Sequence, residues 1–158
     1  MKVFLGTDHA GFELKEHIKK YLQDKKYEVE DCGALALDKD DDYPDFIGPA
    51  AKGVVENPGS MAIVFGKSGA GEAMAANKIK GARAVLCFEP ENVVLAREHN
   101  DANVLSLGSG FTDPKKAEEL VQLFIDTKFS KESRHERRIE KMNKLQGGDG
   151  CACGDCSC

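Results

Sequence analysis

Glu72 is the residue of this sequence best placed for proton transfer, because it directly follows a glycine-rich segment, residues 66–71, at the end of an apolar run. Backbone N–H groups that remain free where a strand turns into a helix attract anions. A carboxylate beside such donors suits enolisation, since it removes a proton next to a carbonyl while the donors stabilise the oxyanion. The segment therefore predicts proton transfer on a carbonyl compound, although a first-turn glutamate also complements a helix dipole.

Two histidines beside apolar runs are further candidates for acid–base chemistry. His9 follows Asp8 at the end of the first run, and His99 ends a predicted helix just before the fifth run. Imidazole titrates near neutral pH and therefore suits proton transfer to and from a sugar ring oxygen, with Asp8 placed to assist. A simpler interpretation of His99 is a cation at a helix end.

The elements that position these residues follow from hydrophobic periodicity. Helical segments separate short apolar runs, most of which are too continuous for half-exposed strands. Alternating strands and helices predict a three-layer α/β/α fold with a mainly parallel sheet. Ligands bind beyond the carboxyl ends of such strands, where polar segments 7–9, 66–72 and 108–110 lie. The predicted strands are residues 3–5, 27–32, 61–65, 82–88 and 104–107.

Two of the later helices have clear sequence signals. Asp113 is predicted to cap a helix that begins at Pro114. Ile139, Met142 and Leu145 recur at helical spacing and predict a final helix.

Composition limits the class of protein. A net charge of −5 argues against a nucleic-acid binder, and no apolar run approaches the roughly 18 residues that span a membrane. The first strand begins without a signal peptide, so we expect a cytoplasmic protein. Acidic residues crowd residues 38–42, and arginines cluster at 134–138, where a solvated face or a local anion site is possible.

The composition changes after Gln146. We expect one domain over residues 1–146 and a flexible Gly/Cys-rich tail over residues 147–158. The tail thiols can in principle bind zinc or another soft metal, but a reducible tail without ordered function is the alternative. These thiols belong to Cys151, Cys153, Cys156 and Cys158, whereas Cys32 and Cys87 fall on predicted strands and indicate small buried side chains.

Five motifs follow one another over roughly residues 1–145: Asp8-His9-Ala10-Gly11, Asp42-Tyr43-Pro44, Gly69-Ala70-Gly71-Glu72 with Ala75-Ala76-Asn77-Lys78, Arg97-Glu98-His99-Asn100-Asp101, and Arg134-His135 with Arg137-Arg138. Together they resemble the type B ribose-5-phosphate isomerases, a family that includes galactose-6-phosphate isomerase subunits. The resemblance implies a Rossmann-like domain, a homodimer or tetramer whose sites are completed by the partner subunit, and no metal or other cofactor. It also implies a role in the pentose phosphate pathway.

The resemblance implies aldose–ketose isomerisation of ribose 5-phosphate and a role for each site residue. Glu72 would move the proton between C1 and C2, because the strand-end loop lacks the cysteine used by another branch of the family. His99 and Asp8 would open the furanose ring. The remaining implied roles are the enediolate anion hole for Ser68, Gly69 and Gly71, sugar contacts for Tyr43 and Asn100, and phosphate binding for His9, Arg134 and Arg138, with both arginines reaching across the dimer.

Gly110 departs from the family pattern, which has a phosphate-binding arginine there. One hypothesis is that Lys67 partly substitutes for it, and another is a shifted substrate preference. The alternatives are therefore an isomerase of a six-carbon sugar phosphate, such as allose or galactose 6-phosphate, or a non-catalytic phosphosugar-binding module.

Overall fold

A five-stranded sheet lies at the centre of the computed structural model, which describes residues 1–146. Strands and helices alternate along the chain until α5, as predicted. The elements are β1 Lys2–Thr7, α1 Phe12–Asp24, β2 Glu28–Asp31, α2 Pro44–Glu56, β3 Met61–Gly66, α3 Ala70–Ala76, β4 Ala84–Leu86, α4 Pro90–Asn100, β5 Val104–Gly108, α5 Pro114–Asp126 and α6 Ser133–Gln146, with a 3₁₀ turn at His9–Gly11.

The sheet order is β2-β1-β3-β5-β4, and all four neighbouring pairs are parallel. The register pairs Thr7 with Phe65 and Gly66 with Gly108, so the carboxyl ends of β1, β3 and β5 lie side by side. This confirms the predicted α/β fold with a parallel sheet and brings the three polar segments to one edge.

Apolar side chains cover both faces of the sheet. One core contains Ile18 of α1, Val93 of α4 and Leu120 of α5. The other contains Ile47 of α2 and Ala76 of α3. Helices on both sides complete the three-layer Rossmann-like architecture.

The edge strands are shorter than their apolar runs predicted. The run at residues 27–32 forms β2 only over Glu28–Asp31, and the run at 82–88 forms β4 only over Ala84–Leu86. Each edge strand pairs with a single neighbour and is partly exposed, whereas β3 is buried throughout. Because each edge strand is covered by a neighbouring strand on one side only, it is shorter than its apolar run.

The predicted helix ends are also present. The Asp113 carboxylate accepts a hydrogen bond from the Lys116 backbone N–H at 3.0 Å, and Pro114 is the first residue of α5. No helix within residues 1–146 is long and apolar enough to cross a membrane. The cysteine-rich segment 147–158 lies outside the described residues, and its flexibility remains a prediction.

Candidate active site

Glu72 lies in the first turn of α3 with its carboxylate folded back against the end of β3. A Cβ atom at residue 66 would collide with that carboxylate, so a side chain there would displace it. The residue is 5% exposed, and Oε2 has no hydrogen-bond partner among the described residues. Burial is the main cause that raises the pKa of Glu72, and the charge of Asp8 raises it further. The backbone N–H groups of Glu72 and Gly69 lower this pKa but do not cancel the rise. A carboxylate held this way is suited to accepting a proton.

Two glycines shape the loop in front of Glu72. Gly69 precedes α3 with φ of +80°, and a Cβ there would lie 2.6 Å from Leu86 Cδ1. A Cβ at Gly71 would lie 2.9 Å from Cζ and 3.0 Å from the hydroxyl of Tyr43. The Tyr43 ring therefore packs against the start of α3, beside Glu72.

Hydroxyl groups tie the three strand-end segments together. The Ser109 hydroxyl donates to Ala10 O at 2.7 Å, and its backbone N–H donates to Gly66 O at 2.8 Å. The Ser106 hydroxyl donates to Gly69 O at 2.6 Å. Sequence reasoning missed Ser106, although a hydroxyl inside a buried apolar strand is a signal that it has a specific partner.

Asp8 and His9 follow β1 at the same edge. Asp8 is 7% exposed, and its Oδ1 accepts from Ala10 N at 2.9 Å, so it caps the 3₁₀ turn. Asp41 Oδ1 accepts from the His9 backbone N–H at 3.0 Å and lies 2.6 Å from His9 Nδ1. Sequence analysis noted Asp41 only as part of an acidic run and missed this pair.

Within residues 1–146 only Asp8, His9 and Asp41 bring three possible ligand atoms within 4.8 Å of one another. Two of these atoms, His9 Nδ1 and Asp41 Oδ1, are hydrogen-bonded to each other. We therefore assign this cluster to hydrogen bonding.

A cavity of about 640 Å³ opens beside His9 and extends along the loop after β5. Lys67, Ser109, Gly110 and Phe111 line it together with His9. A Cβ at Gly110 would lie 3.2 Å from Lys67 Cε, so the lysine stem crosses the space that a side chain at residue 110 would occupy. Lys67 forms no salt bridge with any described residue, which leaves its ammonium group available to an anion.

The other predicted site residues form a second group around α4 and α6. The ring of His99 stacks on that of His135, with centroids 4.3 Å apart and an interplanar angle of 38°. His135 is 1% exposed, and its Nδ1 lies 2.9 Å from Ser130 Oγ. Burial is the largest cause that lowers the pKa of His135, and the charges of His99, Arg134 and Arg138 lower it further. The second group also includes Asn100, at the exposed end of α4.

The two groups do not meet within one chain. A crossover helix runs antiparallel to the strands that it connects, so α4 ends near the amino ends of the strands. The Arg83 Nε donates to Asn100 O at 3.0 Å, and Asn103 O accepts from Ala62 N at the start of β3. His99 therefore lies at the edge of the sheet opposite to Glu72.

The sequence and the fold both match known sugar-phosphate isomerases. A family model described as Ribose/Galactose Isomerase matches residues 3–142. Ribose-5-phosphate isomerase B of Mycobacterium tuberculosis is 47% identical over 146 residues, which is 92% of this chain and 90% of that protein.

Solved structures agree with these sequence matches. Ribose-5-phosphate isomerase B of Mycoplasma genitalium with bound ribulose 5-phosphate superposes with a TM-score of 0.87 at 37% identity, covering 92% of this chain and 95% of that chain. The enzyme of the same name from Thermotoga maritima has a TM-score of 0.86 at 39% identity, over 90% of this chain and 97% of that chain. The similarity in fold thus extends over at least 90% of this chain.

Proposed function

This chain belongs to the ribose/galactose isomerase family, and from that premise we propose that it interconverts ribose 5-phosphate and ribulose 5-phosphate through an enediolate. The observation that carries the proposal is the buried Glu72 carboxylate, which has an unpaired oxygen at the carboxyl edge of the sheet. We also propose the cytoplasm as its location and the pentose phosphate pathway as its context.

In the proposed reaction Glu72 acts as the proton carrier. Its carboxylate takes the proton from C2 of the open-chain aldose, and negative charge develops on the C1 carbonyl oxygen. Glu72 then returns the proton to C1, while the 2-hydroxyl becomes the new carbonyl and its proton passes to the C1 oxygen. The raised pKa of Glu72 makes it a stronger base than an ordinary carboxylate, which supports this role.

The start of α3 is the proposed anion hole. Ser68, Gly69 and Gly71 lie at the start of α3, where backbone N–H groups lack helical partners, and the Gly69 N–H also interacts with the Glu72 carboxylate. Such donors stabilise an enediolate most strongly when water is excluded. Tyr43, which packs on Gly71, would border the sugar on the other side.

A second subunit is proposed to complete each site. His99 is assigned to ring opening together with Asp8, yet the two lie at opposite edges of the sheet in one chain. A twofold dimer places the same two surfaces against each other twice, so each Glu72 edge can receive His99 of its partner. Asn100, Arg134 and Arg138 would enter with that His99, and the arginines would bind phosphate through their forked donors.

Lys67 is proposed to supply the phosphate-binding cation that Gly110 lacks. Its stem crosses Gly110, and both residues line the cavity beside His9. Lys67→Ala is expected to raise the KM for ribose 5-phosphate about tenfold with little change in kcat, as for loss of one charge-assisted contact. Lys52→Ala, which removes an exposed lysine of α2, is the matched control. An unchanged KM in Lys67→Ala contradicts this assignment.

A six-carbon sugar phosphate remains the second candidate substrate, because Gly110 stands where the family pattern has a phosphate-binding arginine. Turnover of ribose 5-phosphate, allose 6-phosphate and galactose 6-phosphate should be compared at equal enzyme concentration. The highest kcat/KM is expected for ribose 5-phosphate.

The central test is an assay of ribose 5-phosphate to ribulose 5-phosphate conversion without added metal. We expect the native chain to be active and Glu72→Gln to lose at least about 1,000-fold in kcat, because the proton carrier is gone. Glu56→Gln, at the exposed end of α2, is the control. Inactivity of the native chain on all three sugar phosphates favours a non-catalytic binding module instead.

A further inference from the structure

The contact between His9 and Asp41 uses only one of the two carboxylate oxygens of Asp41. One carboxylate oxygen, Asp41 Oδ1, receives both the backbone N–H of His9 at 3.0 Å and its ring Nδ1 at 2.6 Å. The Asp41 side chain is only 10% exposed. Its other oxygen, Oδ2, is buried and has no partner among the described residues, which is destabilising.

We propose that Asp41 is a positioning residue for phosphate binding: its carboxylate accepts a hydrogen bond from His9 Nδ1–H and favours the charged ring, whose Nε2–H is then the donor available to the cavity. This inference rests on the proposed function, because it assigns a role within the same site. A carboxylate on one ring nitrogen fixes the tautomer and orientation of a histidine, so that the other nitrogen acts in a defined direction. His9 itself lines the cavity that also contains Lys67.

The charges around His9 agree with this assignment. The hydrogen bond to Asp41 is the largest cause that raises the pKa of His9. The charges of Asp8, Asp41 and Asp38 raise this pKa further, whereas burial lowers it. An imidazolium can donate from Nε2–H to a phosphate oxygen, whereas a neutral ring that keeps its proton on Nδ1 has no donor at Nε2. The charged groups that face His9 from its neighbours and across the cavity are Asp8, Glu13, Asp38, Asp41, Lys67 and Asp113.

His9 and Lys67 are the two residues lining the cavity that can carry positive charge, and they lie next to the carboxylates of Glu13 and Asp113. Without Asp41 the His9 ring is expected to rotate and to lose its proton at a lower pH. Phosphate binding then weakens more as the pH rises, because the ring without Asp41 loses its charge at a lower pH than the wild-type ring does.

The test measures the pKa of His9 by NMR in the full chain, which contains only four histidines. Asp41→Asn is expected to lower this pKa by about one unit, as for loss of an adjacent charge. Asp40→Asn removes the same charge one position away without a contact to His9 and is the matched control. Titration with inorganic phosphate, followed on the same His9 signals, should show about tenfold weaker binding at pH 8 in Asp41→Asn, and a smaller difference at pH 6.

Kinetics supply the second readout. Asp41→Asn is expected to raise the KM for ribose 5-phosphate at pH 8 while kcat changes less. In a His9→Asn background, Asp41→Asn should have no further effect on KM, because it acts through His9. If Asp41→Asn does not fold, Asp41→Glu is used, and restoration of the raised His9 pKa by this longer carboxylate supports the assignment.

An unchanged His9 pKa and unchanged phosphate affinity in Asp41→Asn overturn the inference, as does an equal rise in KM in the His9→Asn background. The NMR measurement does not depend on turnover. A native chain that is inactive on ribose 5-phosphate but shows the expected His9 shift therefore refutes the proposed function and leaves the positioning role of Asp41 supported.

Discussion

At the scale of single residues, Glu72 combines burial with an unpaired carboxylate oxygen, and both features are unfavourable for folding. Gly66 is required beside it, because any side chain there would displace the carboxylate. Sequence analysis identified Glu72 from the loop that precedes it. It could not show that Gly66 is the surface on which the carboxylate rests, since that contact depends on how far α3 turns back over β3.

Glu72→Gln is expected to be more stable than the native chain at neutral pH, by on the order of 1 kcal/mol, because it removes a buried charge. Since the folded-state pKa of Glu72 is raised, the folded native chain holds this proton more tightly than the unfolded chain. The free energy of unfolding of the native chain therefore falls as the pH rises from the ordinary pKa of a carboxyl group through the raised pKa of Glu72.

The measurement is urea unfolding of both proteins at pH 4 and pH 8. The stability difference should be small at pH 4 and fully present at pH 8. A Glu72→Gln protein that is less stable at pH 8 would show that the carboxylate contributes more as a helix cap than it costs by burial.

Gly66→Ala is expected to lower kcat about 100-fold, the scale of loss that accompanies a misplacement of about 1 Å in a catalytic group. The added methyl group occupies the position of the Glu72 carboxylate and forces it away. Gly48→Ala is a suitable control, because a Cβ at that position meets no atom within 4 Å. Steady-state kinetics with a native-like circular dichroism spectrum should separate lost alignment from misfolding, and an unaltered kcat contradicts the assigned contact.

At the scale of elements, local signals predicted the helices better than the edge strands. Asp113 and Pro114 define the start of α5 by their own chemistry, so the sequence was sufficient there. The limits of β2 and β4 depend on which strands pair with them, and an apolar run does not contain that information. The burial of His135 was missed for the same reason, since its stacking with His99 requires α6 to pack on α4.

Asp113→Ala is expected to lower the free energy of unfolding by about 1 kcal/mol, the usual loss for removal of an N-cap side chain. Asp113→Asn keeps an oxygen that can accept from Lys116 N and should retain most of the stability. Thermal unfolding of the three proteins at one pH tests this. Equal losses in the two variants would show that the carboxylate charge, rather than the cap hydrogen bond, stabilises α5.

At the scale of the whole molecule, the order of strands and helices predicted the parallel sheet and the edge at which Glu72 lies. The separation of the candidate site into two groups was not predicted for one chain, although the position of His99 just before β5 contained the signal. A residue before a strand lies at its amino end, whereas Asp8 and Gly66 lie at carboxyl ends. Only the assembled sheet shows that the two groups are at opposite edges.

This arrangement leads to a complementation prediction. Glu72→Gln and His99→Asn should each be nearly inactive alone, because every dimeric site then lacks one group. In a mixed dimer, one site combines the intact Glu72 of one subunit with the intact His99 of the other, and the second site lacks both. The unfractionated mixture should therefore recover about a quarter of native activity, since half of the dimers are mixed and each has one intact site, and the isolated mixed dimers should recover about half.

The two variants should carry different affinity tags, be unfolded and refolded together, and be assayed for ribulose 5-phosphate formation after isolation of the doubly tagged species. A mixture of Glu72→Gln with Gly66→Ala is the control, because both changes damage the same edge of the sheet and no intact site can form. Restored activity in the first mixture alone places His99 in the partner's site. If no activity returns although mixed dimers are isolated, Glu72 and His99 do not act across the subunit interface, and the shared site must be abandoned.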